Sequence, residues 1–254
     1  MSSSLPLAII QLETPPEGVV ASVGEQQHWF VAALDLQPDE YRVIRPDLGD
    51  ALPDPASLAA AILTGSWAMV TDRAEWSERT AAWIRRAMDY QLPLLGVCYG
   101  HQLMSYALGG LVDNNPRGVE RGQQKITTKP DCESDPLLSQ LPSQFSAWLS
   151  HQQSVLQAPE GAQVLASSAM DECQIIRYSQ QAISFQFHPE FTGTIMTACL
   201  HNHQHDEATS SLLAHQSEPR WPLQLLQDFW QQQRLPERHS SLTTAAIAVS
   251  ASSG

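Results

Sequence analysis

An α/β fold is predicted by three features of this 254-residue sequence. Apolar runs and amphipathic stretches succeed one another in the order β-α-β-β along the first part of the chain, with no sign of a repeat array. The run Pro93-Leu94-Leu95-Gly96-Val97 is short and wholly apolar, as a strand buried on both faces of a parallel sheet must be. A helix starting near Tyr99 follows it with almost no loop, so strand, tight turn and helix come in immediate succession. With 43% hydrophobic and 16% charged residues the chain can bury a substantial core, and one large domain is the expectation.

Each element has its own reason. Residues 7–11 are an apolar run ended by Glu13-Thr14-Pro15-Pro16, which reads as a first strand and a loop. A helix is expected over about 24–34 and a strand over 41–44; a proline-punctuated connection then leads to a third strand, 59–63, ending in Thr64-Gly65-Ser66. Trp76, Ala81, Trp83, Ile84 and Ala87 suit the apolar face of a helix over 74–90, which precedes the strand at 93–97. Beyond Gly110 the texture changes to shorter β-like runs at 124–128, 145–149, 163–166, 174–178 and 182–187, the last leading into His188-Pro189-Glu190. Helices near 194–202 and 222–233 complete a domain expected to span 1–238. Residues 239–254, rich in Ser, Thr and Ala, read as a disordered tail.

Composition narrows the partners. Twenty-seven acidic against 14 basic residues give a formal net charge of -13, a field that repels a phosphate backbone or an anionic bilayer. Nucleic acid and membrane are therefore not expected as partners. The first residues lack the positive region of a signal peptide and no apolar run approaches the roughly 18 residues needed to cross a bilayer, so a cytoplasmic location is expected. Cys98, Cys132, Cys173 and Cys199 lie far apart, with no CxxC pair and no regularly spaced histidine beside them, which argues against zinc and against a disulfide framework. No metal and no cofactor is expected.

The chemistry centres on Gly96-Val97-Cys98-Tyr99-Gly100-His101-Gln102, where a cysteine stands between two glycines at the strand-to-helix turn. Such a turn tends to strain the backbone of the projected residue, and neighbours without side chains let the helix pack against the strand. At a helix N-terminus the unpaired amides and the helix dipole favour thiolate over thiol, so Cys98 is expected to be nucleophilic. A thiolate nucleophile needs a base, and the base an orienting partner. His188 and Glu190, two apart across a proline, can point to the same side of an extended backbone, so that the carboxylate holds one ring nitrogen while the other faces Cys98.

The cysteine motif joined to Phe187-His188-Pro189-Glu190 resembles the class I glutamine amidotransferases. Thr64-Gly65-Ser66 looks like the family's turn after the third strand. Ser150-His151-Gln152-Gln153-Ser154-Val155 and Asn115-Pro116-Arg117-Gly118-Val119-Glu120 are similar to segments of the glutaminase domain of GMP synthetase. The resemblance spans about residues 5–200 and implies a mixed, mostly parallel sheet flanked by helices in flavodoxin-like layers. It implies Cys98 as nucleophile, His188 as general base and acid, Glu190 as its orienter, and the backbone amides of Gly65 and Tyr99 as an oxyanion hole. Gln102, Ser150, His151 and Gln152 are the implied substrate-binding residues. Gln152-Gln153 stands where the similar segment has Gly-Asp, which leaves open how the substrate's α-amino and α-carboxylate groups are held.

Two enzymatic readings follow from the resemblance: a glutaminase subunit delivering ammonia from glutamine to a separate synthetase, or a stand-alone hydrolase of γ-glutamyl amides or peptides. No P-loop and no second domain for consuming ammonia is seen in the sequence. A non-catalytic regulatory or scaffold subunit is the reading from a different class, and the intact Cys98, His188 and Glu190 argue against it. The Tyr99 and Arg117 side chains stand near the expected site as groups able to shape a larger substrate.

Overall fold

The chain is described here by a computed structural model covering residues 5–202 and 217–234; the tail expected at 239–254 lies outside the described residues. Strands β1 (Leu7–Ile10), β2 (Tyr41–Ile44), β3 (Ala60–Leu63) and β4 (Leu94–Val97) come from the first half of the chain. Between them lie helices α1 (Glu17–Val23), α2 (Gln26–Leu34) and α3 (Glu75–Asp89), and α4 (Tyr99–Ala107) follows β4. The second half supplies β5 (Leu111–Asn114), β6 (Glu120–Thr128), β7 (Gln144–His151), β8 (Gln153–Gln157), β9 (Gln163–Ser167), β10 (Ile175–Arg177) and β11 (Ala182–Phe185), then α5 (Gly193–Asn202) and α6 (Arg220–Arg234).

Nine strands form one mixed sheet in the order β2-β1-β3-β4-β11-β10-β9-β6-β7, while β5 and β8 make a separate antiparallel pair. Pairing is parallel from β2 through β11 and antiparallel from β11 through β7. The parallel strands are buried on both faces because alternate residues serve different cores. On β1, Leu7 and Ile9 pack with Phe30 of α2 and Leu226 of α6, whereas Ala8 and Ile10 pack with Trp83 of α3 and Leu103 of α4. Each such fully buried Leu or Ile contributes roughly 1.5–3 kcal/mol. A third cluster under α1 and α5 gathers Val19, Trp29, Trp148, Phe191 and Met196 beside the C-terminal ends of the parallel strands. No described helix is long and apolar enough to cross a membrane.

The mixed sheet flanked by helices agrees with the expectation, and differences lie in short elements. The loop expected after Pro16 contains α1, and the helix expected from about 24 is broken from it at Gly24, whose φ of +76° ends the first helix. Val19 is the single buried residue of α1, so no periodic signal announces it. Strands β5 and β8 were not expected either, since Leu111 and Leu156 are exposed and the apolar alternation is weak. β6 begins at Glu120, four residues before the apolar pattern would start it, because pairing with β7 extends it through polar residues. β11 ends at Phe185 instead of 187, so His188-Pro189-Glu190 lies in a turn beyond the strand.

Candidate active site

The turn at Cys98 is built by forbidden space. Cys98 itself has φ +51° and ψ -102°, a conformation that a side-chain-bearing residue rarely adopts. Its backbone N–H donates to the Phe185 carbonyl at 2.9 Å, which fastens the turn to β11. A Cβ at Gly96 would lie 2.6 Å from the Gly100 carbonyl oxygen, and one at Gly100 would collide with the Leu63 backbone, so both positions must lack a side chain for α4 to cross β3 and β4 this closely. The sulfur is aimed at the C-terminal ends of the parallel strands, in hydrogen-bonding reach of the Ser150 carbonyl at 3.7 Å. In open α/β sheets that edge is where ligands bind.

His188 and Glu190 meet there as their spacing suggested, through the turn and not through extended backbone. His188 Nδ1 and Glu190 Oε1 are 2.8 Å apart, with both residues buried. The His188 N–H donates to the Trp148 carbonyl at 2.9 Å, and Phe191 stacks on the ring at 3.9 Å between centroids. Burial alone would lower the imidazole pKa. The charges of Glu190 and Cys98 and hydrogen bonds to both outweigh it, and hold His188 up to about 10. Burial raises the thiols of Cys132, Cys173 and Cys199, Cys173 to about 11 and Cys199 to about 12.

A cavity of about 220 Å³ opens beside Cys98 and His188, walled by Trp29, Trp67, Met69, Phe191, Gln152 and Arg121. Gly65 borders it. A Cβ there would sit 3.1 Å from His188 Cε1 and 3.3 Å from Gln26 Oε1, so a side chain would crowd the imidazole, with Cys98 Cβ at ordinary contact distance, 3.7 Å. The Gly65 and Tyr99 amides have no acceptor among the described residues, which leaves two N–H donors beside the sulfur.

The remaining expected residues divide. Gln102, Ser150, His151 and Gln152 all border the cavity, Ser150 with its carbonyl at the sulfur and Gln152 as an exposed side chain 3.4 Å from Asn114 Oδ1, while Gln102 and His151 have their polar atoms engaged with protein. Gln102 is buried, and its Nε2 is committed to the Gln153 carbonyl at 2.6 Å and to Gln186 Oε1 at 3.0 Å, so it braces the wall. The His151 ring is engaged on both nitrogens, with Glu120 Oε2 and the Gln153 carbonyl each at 2.9 Å. Asp171 adds a buried carboxyl to this group, and ligand atoms of Glu120, His151 and Asp171 lie within 4.8 Å of one another. Both ring nitrogens are already bonded to protein, whereas Asp171 Oδ2 and the neighbouring Gln174 Oε1 are buried without a hydrogen-bond partner among the described residues. Two side chains expected to shape a substrate are elsewhere. Tyr99 turns its hydroxyl to Ser77 Oγ at 2.7 Å beneath Trp76, and Arg117 reaches the Ala169 carbonyl and Glu172 on the surface.

Two residues escaped the sequence reading. Glu13, just past β1, accepts from Ser66 Oγ at 2.7 Å and from the backbone N–H groups of Trp67 and Ala68 at 2.6 and 2.9 Å, which pins the loop carrying Gly65. Its place after an apolar parallel strand was the available signal. Among the described residues bordering the cavity, Arg121 is the single arginine or lysine, and nothing in the sequence marks it.

Residues 57–206 match the family model of glutamine amidotransferase class-I. The chain is 37% identical over 111 residues to one subunit of a glutamine-hydrolysing GMP synthase from Methanocaldococcus jannaschii, a match covering 42% of this chain and 56% of the relative, so it spans little over half of that protein's length. It is 28% identical to gamma-glutamyl peptidase 5 of Arabidopsis thaliana, covering 63% of this chain and 64% of the relative. In fold it is similar to the glutamine amidotransferase of Methylobacillus flagellatus, with a TM-score of 0.68 and 20% identity over 89% of this chain and 94% of that one. The match of more than half of the sequence, on a fold shared with such proteins, means that this chain belongs to the class-I glutamine amidotransferase family.

Proposed function

We propose that the chain hydrolyses the γ-carboxamide of glutamine, or of a γ-glutamyl compound, through a thioester on Cys98. The observation that carries this is the junction of a strained cysteine, an engaged His–Glu pair and two uncommitted backbone amides around one small cavity. In this reading the Cys98 thiolate attacks the amide carbon and forms the C–S bond. The carbonyl oxygen takes the negative charge and faces the amides of Gly65 and Tyr99, a contribution of about 2.7–4 kcal/mol for a donor in such a position. Imidazolium His188 gives its proton to the nitrogen as the C–N bond breaks, and ammonia or an amine leaves. His188 then takes a proton from water, whose oxygen displaces sulfur and releases the γ-carboxylate. Glu190 holds the ring and balances its charge throughout.

For the question left open by Gln152-Gln153, the proposal assigns the substrate α-carboxylate to Arg121, which borders the cavity and carries a charge that a neutral amide lacks. A cavity of about 220 Å³ is below the roughly 300–1,000 Å³ of sites for drug-sized ligands, which favours a single γ-glutamyl group over a longer peptide inside it. Delivery of ammonia to a separate synthetase is part of the proposal, motivated by the relative named as a subunit of GMP synthase. The test is ammonia and amine release from glutamine and a panel of γ-glutamyl amides, with mass-spectrometric detection of a Cys98 adduct. Glutamine turnover that rises on adding a synthetase supports delivery, and turnover of γ-glutamyl amides but not glutamine selects stand-alone hydrolysis. A folded protein that turns over none of them and forms no adduct refutes the proposal.

A further inference from the structure

The wall facing Cys98 touches the proposed machinery almost wholly through backbone. From the end of β7 into β8, the Trp148 carbonyl receives the His188 N–H at 2.9 Å, the Ser150 carbonyl faces the Cys98 sulfur at 3.7 Å, and the Gln153 carbonyl receives Gln102 Nε2 at 2.6 Å. Backbone carbonyls hold their places only as well as the segment that bears them, and this one runs through the Ser150–Gln153 corner between two strands of different sheets.

A buried pair sits behind that corner. Glu120 and His151 are opposite one another in the β6–β7 register, which places both side chains on the same face of the sheet. Each side chain is 1% exposed, and Nε2 and Oε2 are 2.9 Å apart. His151 Nδ1 lies 2.9 Å from the Gln153 carbonyl; since a carbonyl can only accept, Nδ1 carries the hydrogen, and Nε2 meets Glu120 across a single shared proton. Gln174 Nε2 donates to the same Glu120 oxygen at 3.1 Å, and Asp171, held by the Cys173 N–H at 2.9 Å, closes the far side. The Gln153 carbonyl is thus gripped by His151 from behind and by Gln102 from the active-site side. His151 borders the cavity, but the hydrogen bonds of the pair run to Gln153 and Gln174 and not to Cys98 or His188.

We infer that Glu120 and His151 are positioning residues: a second His–carboxylate pair that sets the Ser150–Gln153 backbone against Cys98 and thereby governs the rate of thioester formation. The inference rests on Cys98 being the nucleophile as proposed above. Its scale comes from geometry, since displacing a reacting group by about 1 Å can cost roughly 10²-fold.

The experiment compares Glu120→Ala, Glu120→Gln and His151→Asn with wild type and with Arg117→Ala, a surface control. Each is measured for Tm, for KM and kcat on glutamine or the best γ-glutamyl amide, and for the single-turnover rate of Cys98 acylation. Glu120→Ala should remain folded and slow acylation by about 10- to 100-fold while KM moves less than about threefold. Glu120→Gln keeps the shape and a hydrogen bond to the ring, and should recover to within about threefold of wild type. His151→Asn can keep the bond to the Gln153 carbonyl but loses Glu120, and should fall between them. Wild-type acylation in folded Glu120→Ala overturns the inference, as does a lowered Tm with unchanged acylation per folded molecule. Should Glu120→Ala fail to fold, His151→Asn decides by the same criteria. Glu120→Gln as slow as Glu120→Ala at wild-type Tm also overturns it. Failure of the underlying reading looks different: the wild type itself then forms no Cys98 adduct, and both proposals fall together.

Discussion

The turn at Cys98 and the wall at Ser150–Gln153 face each other across one cavity, and they are held in place by opposite means. The turn is local. Seven consecutive residues carry it, two of them glycines because neighbouring backbone leaves no room for a Cβ, and its strain at φ +51° is sustained by strands buried on both faces. The wall is assembled from far-separated residues: Glu120 pairs with His151, Gln102 with Gln153, and His188 with Trp148. Steric exclusion thus places the sulfur, while hydrogen bonds between distant segments place what surrounds it. Changes in the first should act on whether the chemistry occurs, and changes in the second on how fast.

The largest effect should come at the turn itself. Cys98→Ala removes the nucleophile without disturbing the backbone, and hydrolysis of the preferred amide should fall by about 10³-fold or more, followed as ammonia or amine release. Activity near the wild-type level would move the nucleophile to another residue and dissolve the contrast.

Next in size are the two groups that bridge turn and wall. His188→Ala should slow acylation by about 10²–10⁴-fold, and Glu190→Gln by less, because His188 moves protons whereas Glu190 orients and stabilises the ring. Single-turnover kinetics separate thioester formation from its hydrolysis and so keep a change of rate-limiting step from masking the order. Equal losses would give the carboxylate a larger share than orientation.

Glu13→Gln tests the non-local side. It weakens three hydrogen bonds that converge on one carboxylate oxygen and hold the Gly65 loop, and should lower kcat by about tenfold with a smaller change in KM. A rise in KM at constant kcat would mean that the loop binds substrate equally in ground and transition states.

The smallest effect is on stability. His188 is held up to about 10 against an ordinary 6.5, as Glu190 and Cys98 outweigh the burial that would lower it. A raised folded pKa contributes stability that is complete below about pH 6.5 and is lost as pH rises through about 10. The Tm advantage of wild type over His188→Gln should therefore shrink by a few degrees between pH 6.5 and 10, read by thermal melts. An advantage that grows over that range would mean that the ring is buried neutral.

What could be read without coordinates follows the same division. The elbow, the parallel strands and the long amphipathic helix were legible because strong local rules mark them: wholly apolar runs, glycines flanking a cysteine, an apolar period of about 3.6 residues. The Cys98, His188 and Glu190 constellation was legible from its motifs, although their spacing placed the last two on extended backbone and the structure puts them in a turn. Gln102 and His151 both border the cavity as expected, but their polar atoms are engaged with the Gln153 carbonyl and Glu120, which a residue type does not disclose. Helix α1 and strands β5 and β8 left too few buried positions to form a pattern. Steric exclusion acts between chain neighbours, so the order of residues was enough to say where a strained nucleophile could exist. Hydrogen bonds and charges act between groups that only folding brings together, and it took the assembled sheet to show that Glu13 holds the Gly65 loop, that Glu120 backs His151 and that Arg121 borders the cavity.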